Sequence, residues 1–155
     1  MKLFLVQHAQ AKNKADDPAR SLSDAGAEAA EKVAKWLANS ELKVTEIRHS
    51  GKKRAGQTAS IFAKHLSPPQ GLVAAPGLNP MDDVRRVADE LGEYRGALMI
   101  VGHLPFLGRL TGLLVAGDPQ CEVVRFQNAG VVCLQEYEGR WSVEWVVVPN
   151  LVRGD

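Results

Sequence analysis

The sequence predicts an α/β fold: a single three-layer domain with a mixed, mostly parallel sheet, helices on both faces and a C-terminal β-hairpin. Short apolar runs alternate along the chain with segments whose apolar residues have helical spacing, which is typical of a sheet covered by helices. The last third changes to two β-rich segments around a turn. The length of 155 residues, 45% of them hydrophobic, fits one domain over residues 1–155 with a buried core.

The first elements are a strand and a helix joined by a polar loop. Residues 2–7 form a nearly continuous apolar run, which indicates a strand buried on both faces. Residues 10–23 are polar, and Ser23 is a plausible N-cap for a helix that ends near Ser40. The apolar face of this helix is predicted to carry Ala29, Val33, Trp36 and Leu37.

The middle of the chain repeats this alternation. A strand is predicted over residues 44–50, followed by a helix that begins at Lys53 or Arg54 and a loop over 67–71. Asp82 or Asp83 is expected to cap a third helix, which makes both carboxylates candidates for structural rather than catalytic roles.

The remaining elements are a buried strand, a helix and the hairpin. Residues 97–101 form the buried strand, and Pro105 is well placed as the first residue of the next helix. Strands over 131–136 and 142–148 flank a turn at 138–140, with Trp141 and Trp145 expected on one face.

Composition narrows the classes of function. The 19 Lys and Arg residues nearly balance the 18 Asp and Glu residues, so a net charge of +1 gives no reason to expect nucleic acid or an acidic membrane as partner. Two cysteines are too few to staple a secreted domain, and no run approaches the roughly 18 apolar residues of a membrane span. We therefore expect a cytoplasmic protein.

Three basic side chains follow predicted strands. His8, Arg54 and His103 each come shortly after a strand, and the carboxyl ends of parallel strands meet at one edge of a sheet. A neutral imidazole can attack phosphorus, while a protonated imidazole and a guanidinium bind the phosphoryl oxygens. His49 and His65 are interpreted as structural. The chain has no HxH, HExxH or CxxC spacing, so we expect neither a metal nor another cofactor.

The segments that carry these three residues resemble the histidine phosphatase (phosphoglycerate mutase-like) superfamily. Residues 5–9 (LVQHA) are similar to its opening Arg-His-Gly signature, residues 50–59 (SGKKRAGQTA) to its second block, and residues 101–105 (VGHLP) to the block of its second histidine. The short length, residues 20–26 (RSLSDAG) and the pair Trp36-Leu37 are similar to the bacterial SixA type, the phosphohistidine phosphatases. The likeness spans the chain to about Leu114.

The resemblance implies a catalytic set and a partner class. His8 would be the nucleophile, and Arg54 and His103 would bind the phosphate. Arg20 would touch the phosphate from the pocket mouth, while the backbone around Ala129 either presents N–H groups to it or forms a plain turn. The substrate would be phosphohistidine on a histidine phosphotransfer domain or a phosphocarrier protein.

Two residues depart from the pattern of the superfamily. Gln7 replaces the arginine beside the nucleophile: it keeps hydrogen-bond donors with which to bind the substrate but lacks the charge. Ala9 replaces a glycine and restricts the backbone. Losing one charge-assisted contact in a transition state costs about 2–4 kcal/mol. Two alternatives therefore stay open: a phosphate-binding module without turnover, and a phosphomonoesterase for small sugar or nucleotide esters.

Overall fold

The computed structural model describes residues 1–154. Its strands are β1 (Lys2–Gln7), β2 (Glu46–His49), β3 (Leu72–Ala74), β4 (Ala97–Gly102), β5 (Val131–Tyr137) and β6 (Arg140–Val147). Its α-helices are α1 (Asp24–Asn39), α2 (Lys53–Leu66), α3 (Val84–Leu91) and α4 (Phe106–Ala116). None of these helices is long and apolar enough to cross a membrane.

The six strands form one mixed sheet in the order β3-β2-β4-β1-β5-β6. Strands β1, β2, β3 and β4 pair in parallel, whereas β5 runs antiparallel to both β1 and β6. This arrangement confirms the predicted mixed sheet with antiparallel pairing at one edge. The edge strand β3 was not predicted, because it has only three residues and all of them are exposed.

Both faces of the sheet are covered by helices. Phe4 and Val6 of β1 face a core shared with α1 and α2, while Leu3 and Leu5 face a core shared with α3 and α4. All four side chains are fully buried, because successive residues of a strand point to opposite faces. This packing explains the nearly continuous apolar run at the start of the chain.

Helix α1 begins as the sequence indicated and buries most of the predicted face, with Val33 and Leu37 fully buried. The Ser23 hydroxyl accepts a hydrogen bond from the Gly26 N–H, and Ser40 is the C-cap of the helix. Trp36, however, is 45% exposed, so its predicted position on the buried face is wrong. The small side chains of Ala30 and Ala34 lie against the sheet instead, which leaves the bulky indole on the flank of the helix.

A β-bulge separates the two tryptophans of the hairpin. Cys133 pairs with Trp145 and Leu134 pairs with Val143, so Glu144 is an extra residue in β6. The extra residue reverses the alternation of side chains, and Trp145 therefore packs with the α1–α2 core while Trp141 packs with the α3–α4 core. The expectation that both tryptophans share one face is wrong.

The start of α1 packs closely on the loop that follows β1. A Cβ atom built at Gly26 would lie 2.1 Å from the carbonyl oxygen of Gln10. The same carbonyl accepts a hydrogen bond of 3.0 Å from the Ser23 N–H. Only glycine permits this approach, and it fixes the loop that begins with His8.

We expect Gly26→Ala to lower the free energy of unfolding by about 1–3 kcal/mol, because the added methyl group overpacks a backbone contact. Gly108→Ala is the matched control, since Gly108 is also the third residue of its helix but its Cβ would meet only Leu104, at 3.9 Å. This control should stabilise the protein by about 0.5–1 kcal/mol. Urea unfolding measures both, and equal effects would contradict the packing argument.

Candidate active site

The register of the parallel strands places His8 and His103 side by side. Gln7, the last residue of β1, is opposite Gly102, the last residue of β4. The His8 N–H donates to the Gly102 carbonyl at 3.0 Å and continues this pairing beyond the strands. The two imidazole rings consequently lie with their centroids 5.2 Å apart at the carboxyl edge of the sheet.

The ring of His8 is held in one orientation and one tautomer. Its Nδ1 lies 2.7 Å from the carbonyl oxygen of Ala9, and since a carbonyl can only accept, Nδ1 carries the proton. Burial lowers the pKa of His8 below 6.5, the Ala9 hydrogen bond opposes this, and the charges of Arg54 and Arg20 lower it further. His8 is therefore neutral near pH 7, with an unprotonated Nε2.

His103 is almost fully buried and hydrogen-bonded to Ser50. Its Nε2 lies 2.6 Å from the Ser50 hydroxyl, and its Nδ1 is buried without a hydrogen-bond partner among residues 1–154. Burial lowers the pKa of His103 to about 3, and the charge of Arg54 adds to this effect. With only the groups of the protein around it, His103 is therefore neutral near pH 7, whereas the predicted protonated imidazole is one that binds phosphoryl oxygens.

Two arginines bring positive charge to the histidines. Burial and the charge of Arg20 lower the pKa of Arg54, and both arginines act on the pKa of His8. Within the described chain neither arginine forms an ion pair, and the Arg54 Nε atom is buried without a hydrogen-bond partner. Arg20 has φ 53° and donates from Nε to the Lys12 carbonyl. Such unpaired guanidinium groups are suited to binding an anion.

The beginning of α2 adds further donors. Lys52 is the N-cap of this helix and makes no side-chain capping bond, so N–H groups of the first turn remain available to an anion. Lys52 is exposed, as a solvated surface charge would be, yet its charge contributes to the lowered pKa of His103. It therefore adds to the positive potential of the site.

Thr58 connects the two halves of the site. Its fully buried hydroxyl donates to the Arg54 carbonyl at 2.8 Å and accepts from the Ala9 N–H at 2.9 Å. Neither Thr58 nor Ser50 is among the site residues predicted from the sequence. Both residues are polar and lie with Arg54 in the 50–59 block, and this proximity in the sequence could have indicated a role in the site.

The two departures from the superfamily pattern have different consequences. Ala9 is fully buried in the core and is not among the residues with positive φ, so its methyl group introduces no backbone strain. The backbone restriction that alanine imposes at this position therefore causes no strain. Gln7 is more unusual, because its Oε1 atom is buried and accepts no hydrogen bond from residues 1–154.

Of the two alternatives for the backbone around Ala129, its hydrogen bonds favour the plain turn over donors for phosphate. The Ala129 N–H donates to the Gln7 carbonyl at 2.9 Å, and the Gly130 N–H donates to the Gln127 carbonyl. These donors are consumed by the turn and by its contact with β1. Ala129 therefore supports Gln7 rather than presenting its N–H to a bound phosphate.

Among residues 1–154, no carboxylate acts on the pKa of His8, Arg54 or His103. Asp83 accepts a hydrogen bond from the Arg85 N–H at the start of α3, and Asp82 accepts one from the Asn79 N–H.

The other two histidines have structural partners. His65 pairs with Glu31, and His49 accepts a hydrogen bond from the Gly51 N–H. Over residues 1–154, no three His, Cys, Asp or Glu side chains are grouped to hold a metal ion.

The model of the histidine phosphatase superfamily (branch 1) matches residues 3–82, slightly more than half of the chain. The chain belongs to the histidine phosphatase superfamily. Its α/β architecture is the phosphoglycerate mutase-like fold. The matched segment contains His8, Arg20 and Arg54, whereas His103 lies beyond it.

Solved structures share this fold over nearly the whole chain. The protein histidine phosphatase SixA complexed with tungstate superposes with a TM-score of 0.85 at 26% identity, covering 97% of this chain and 99% of that one. The alpha-ribazole phosphatase from Shigella flexneri has a TM-score of 0.80 at 16% identity, covering 100% and 99%. The second likeness shows the fold alone.

A curated relative matches a shorter segment. The serine/threonine-protein phosphatase Pgam5, mitochondrial, of Caenorhabditis briggsae is 41% identical over 64 residues, or 41% of this chain. The match spans only 22% of that protein, so this chain corresponds to about a fifth of its length.

The lowered pKa of His103 predicts a pH-dependent stability. Between pH 6.5 and about 3 the unfolded chain binds a proton that the folded protein does not, so the free energy of unfolding falls as the pH falls. One such group contributes a slope of at most about 1.4 kcal/mol per pH unit. His103→Gln should flatten the slope measured by urea unfolding from pH 7 to 5. An unchanged slope would contradict a neutral, buried His103.

Proposed function

We propose that this protein is a metal-independent phosphatase that removes the phosphoryl group from phosphohistidine on a signalling or phosphotransfer protein. The observation that carries the proposal is the state of His8. Its Nδ1–H is fixed on the Ala9 carbonyl, so the free Nε2 presents a lone pair among groups that are neutral or positive. A neutral imidazole in this setting is suited to attack phosphorus.

The reaction proceeds in two displacements. In the first, the His8 Nε2 attacks phosphorus, the bond from phosphorus to the substrate nitrogen breaks, and its electron pair stays on the leaving imidazole. In the second, water attacks the phospho-His8 intermediate and releases phosphate and free His8. Arg54 and Arg20 bind the phosphoryl oxygens and neutralise the charge that develops on them in each step.

His103 becomes charged only with the substrate in place. A phosphoryl dianion beside the ring favours the imidazolium form and so opposes the burial that lowers the pKa of His103 to about 3. Ser50 holds the Nε2 side of the ring, so the buried, unpartnered Nδ1 is left as the atom that can meet a phosphoryl oxygen. Substrate binding is thereby coupled to proton uptake.

The shortage of acidic groups supports phosphohistidine as the substrate. An ester leaves as an alkoxide and needs a general acid, whereas imidazole leaves readily once its ring is protonated. Asp82 and Asp83, which lie just before α3, make local hydrogen bonds there. The structural neighbour at 26% identity is a protein histidine phosphatase that holds tungstate, an oxyanion with the tetrahedral shape of phosphate.

Gln7 supports a second candidate function, a module that binds phosphate without turning it over. Gln7 provides no positive charge beside His8, and binding tolerates a weaker clamp than catalysis does. This candidate predicts tight binding of phosphate and no hydrolysis.

Phosphate release from a phosphohistidine-bearing carrier protein tests the proposal. The assay compares the native chain, His8→Ala and the control His65→Ala, which removes a histidine paired with Glu31 on α1. With a chelator present, we expect release by the native chain and His65→Ala and none above background by His8→Ala. Equal release by native and His8→Ala protein would contradict the proposal. Phosphate binding without release would favour the binding module.

A further inference from the structure

A cavity of about 470 Å³ is lined by Gln7 and Leu104, the chain neighbours of His8 and His103. Its polar lining consists of five carboxamide side chains and contains no charged residue: Gln7, Gln10, Gln127, Asn128 and Asn150. Leu104 and Phe126 supply apolar wall. Neutral hydrogen-bonding groups next to apolar surface suit a planar polar ring better than a second anion.

The chain connects this cavity directly to the proposed phosphoryl site. Gln7 precedes His8, and Leu104 follows His103. The Asn128 side chain donates from Nδ2 to the His8 carbonyl at 2.8 Å. A group attached to a phosphorus atom in front of His8 therefore has the carboxamide cavity within reach.

The buried Oε1 atom of Gln7 is an acceptor without a donor. Nearly all buried polar side-chain atoms in folded proteins have a hydrogen-bond partner, so an exception calls for a physical reason. Gln7 also lines the cavity, so a turn of its carboxamide would bring Oε1 to the N–H group of a ligand there. An anion would not supply a donor, because a phosphoryl oxygen is itself an acceptor.

We propose that Gln7 is a specificity-determining residue that binds the leaving imidazole of phosphohistidine, its Oε1 accepting from the N–H of the ring nitrogen that does not carry phosphorus. The inference rests on the proposed function. When that second nitrogen is protonated, the phosphorylated ring is a cation. Breakage of the bond between phosphorus and nitrogen returns the electron pair to the ring, and a neutral imidazole leaves with the proton it already had. No proton transfer from the protein is required.

This assignment accounts for the glutamine beside the nucleophile. Arginine has no acceptor, and its charge would disfavour the protonated ring that makes imidazole a good leaving group. Glutamine accepts the N–H group without adding charge. Glutamine at this position therefore binds phosphate less strongly than arginine would, but it recognises the leaving group.

The test compares two substrates, a phosphohistidine peptide and para-nitrophenyl phosphate, whose leaving group carries no N–H. The readout is the ratio of the two kcat/KM values. Gln7→Met removes the acceptor and should lower the ratio on the order of tenfold, the scale of one hydrogen bond to a charged group. Gln7→Glu keeps an acceptor and should retain the preference for phosphohistidine. Gln7→Arg should lower the ratio furthest, by raising aryl phosphate hydrolysis and slowing the phosphohistidine reaction.

Gln70→Met is the matched control, because Gln70 is exposed in the loop before β3 and its N–H donates to the Thr45 carbonyl, away from the histidines. It should have the native ratio. An unchanged ratio in Gln7→Met, with the fold intact by circular dichroism, would overturn the inference while leaving the phosphatase in place. If the native chain released phosphate from neither substrate, the proposed function itself would fail.

Discussion

The parallel pairing of β1 with β4 is the interaction on which the whole site depends. It sets the ends of the two strands level and lets the His8 N–H continue the ladder to Gly102. A shift of one residue would turn every β1 side chain to the other face of the sheet, exchanging the two halves of the core. Since Leu3 to Val6 are fully buried on both faces, packing against four helices strongly fixes this register.

The electrostatics of the site follow from placing bases and guanidinium groups together without a carboxylate nearby. Burial and the charges of Arg54 and Arg20 lower the pKa of both imidazoles and keep them neutral, as a nucleophile requires. In the proposed reaction, an arriving phosphoryl group reverses this preference at His103 and supplies the counter-charge for both arginines. In this account the negative charge that the site lacks is brought by the substrate.

Local patterns in the sequence were sufficient to predict most of the fold and the convergence of His8, Arg54 and His103. Strand ends and capping residues such as Ser23 are encoded within a few positions. Features that depend on contacts between distant parts of the chain could not be predicted from the sequence. The bulge at Glu144 separated Trp141 from Trp145 and depends on pairing across the hairpin, while the loss of the Ala129 N–H depends on a contact with β1. The neutral state of His103 required knowledge of its burial, which no sequence motif specifies.

The central claim is that His8 carries the phosphoryl group during turnover, and trapping that intermediate tests it most directly. Native protein would be mixed with a radiolabelled phosphohistidine carrier, quenched in alkali within milliseconds, digested and mapped by mass spectrometry. The account predicts a phosphoryl group on the peptide containing His8, stable in alkali and lost in acid, that appears before phosphate is released. Phosphate release at full rate with no labelled peptide at any time would contradict it, since water would then attack the substrate directly.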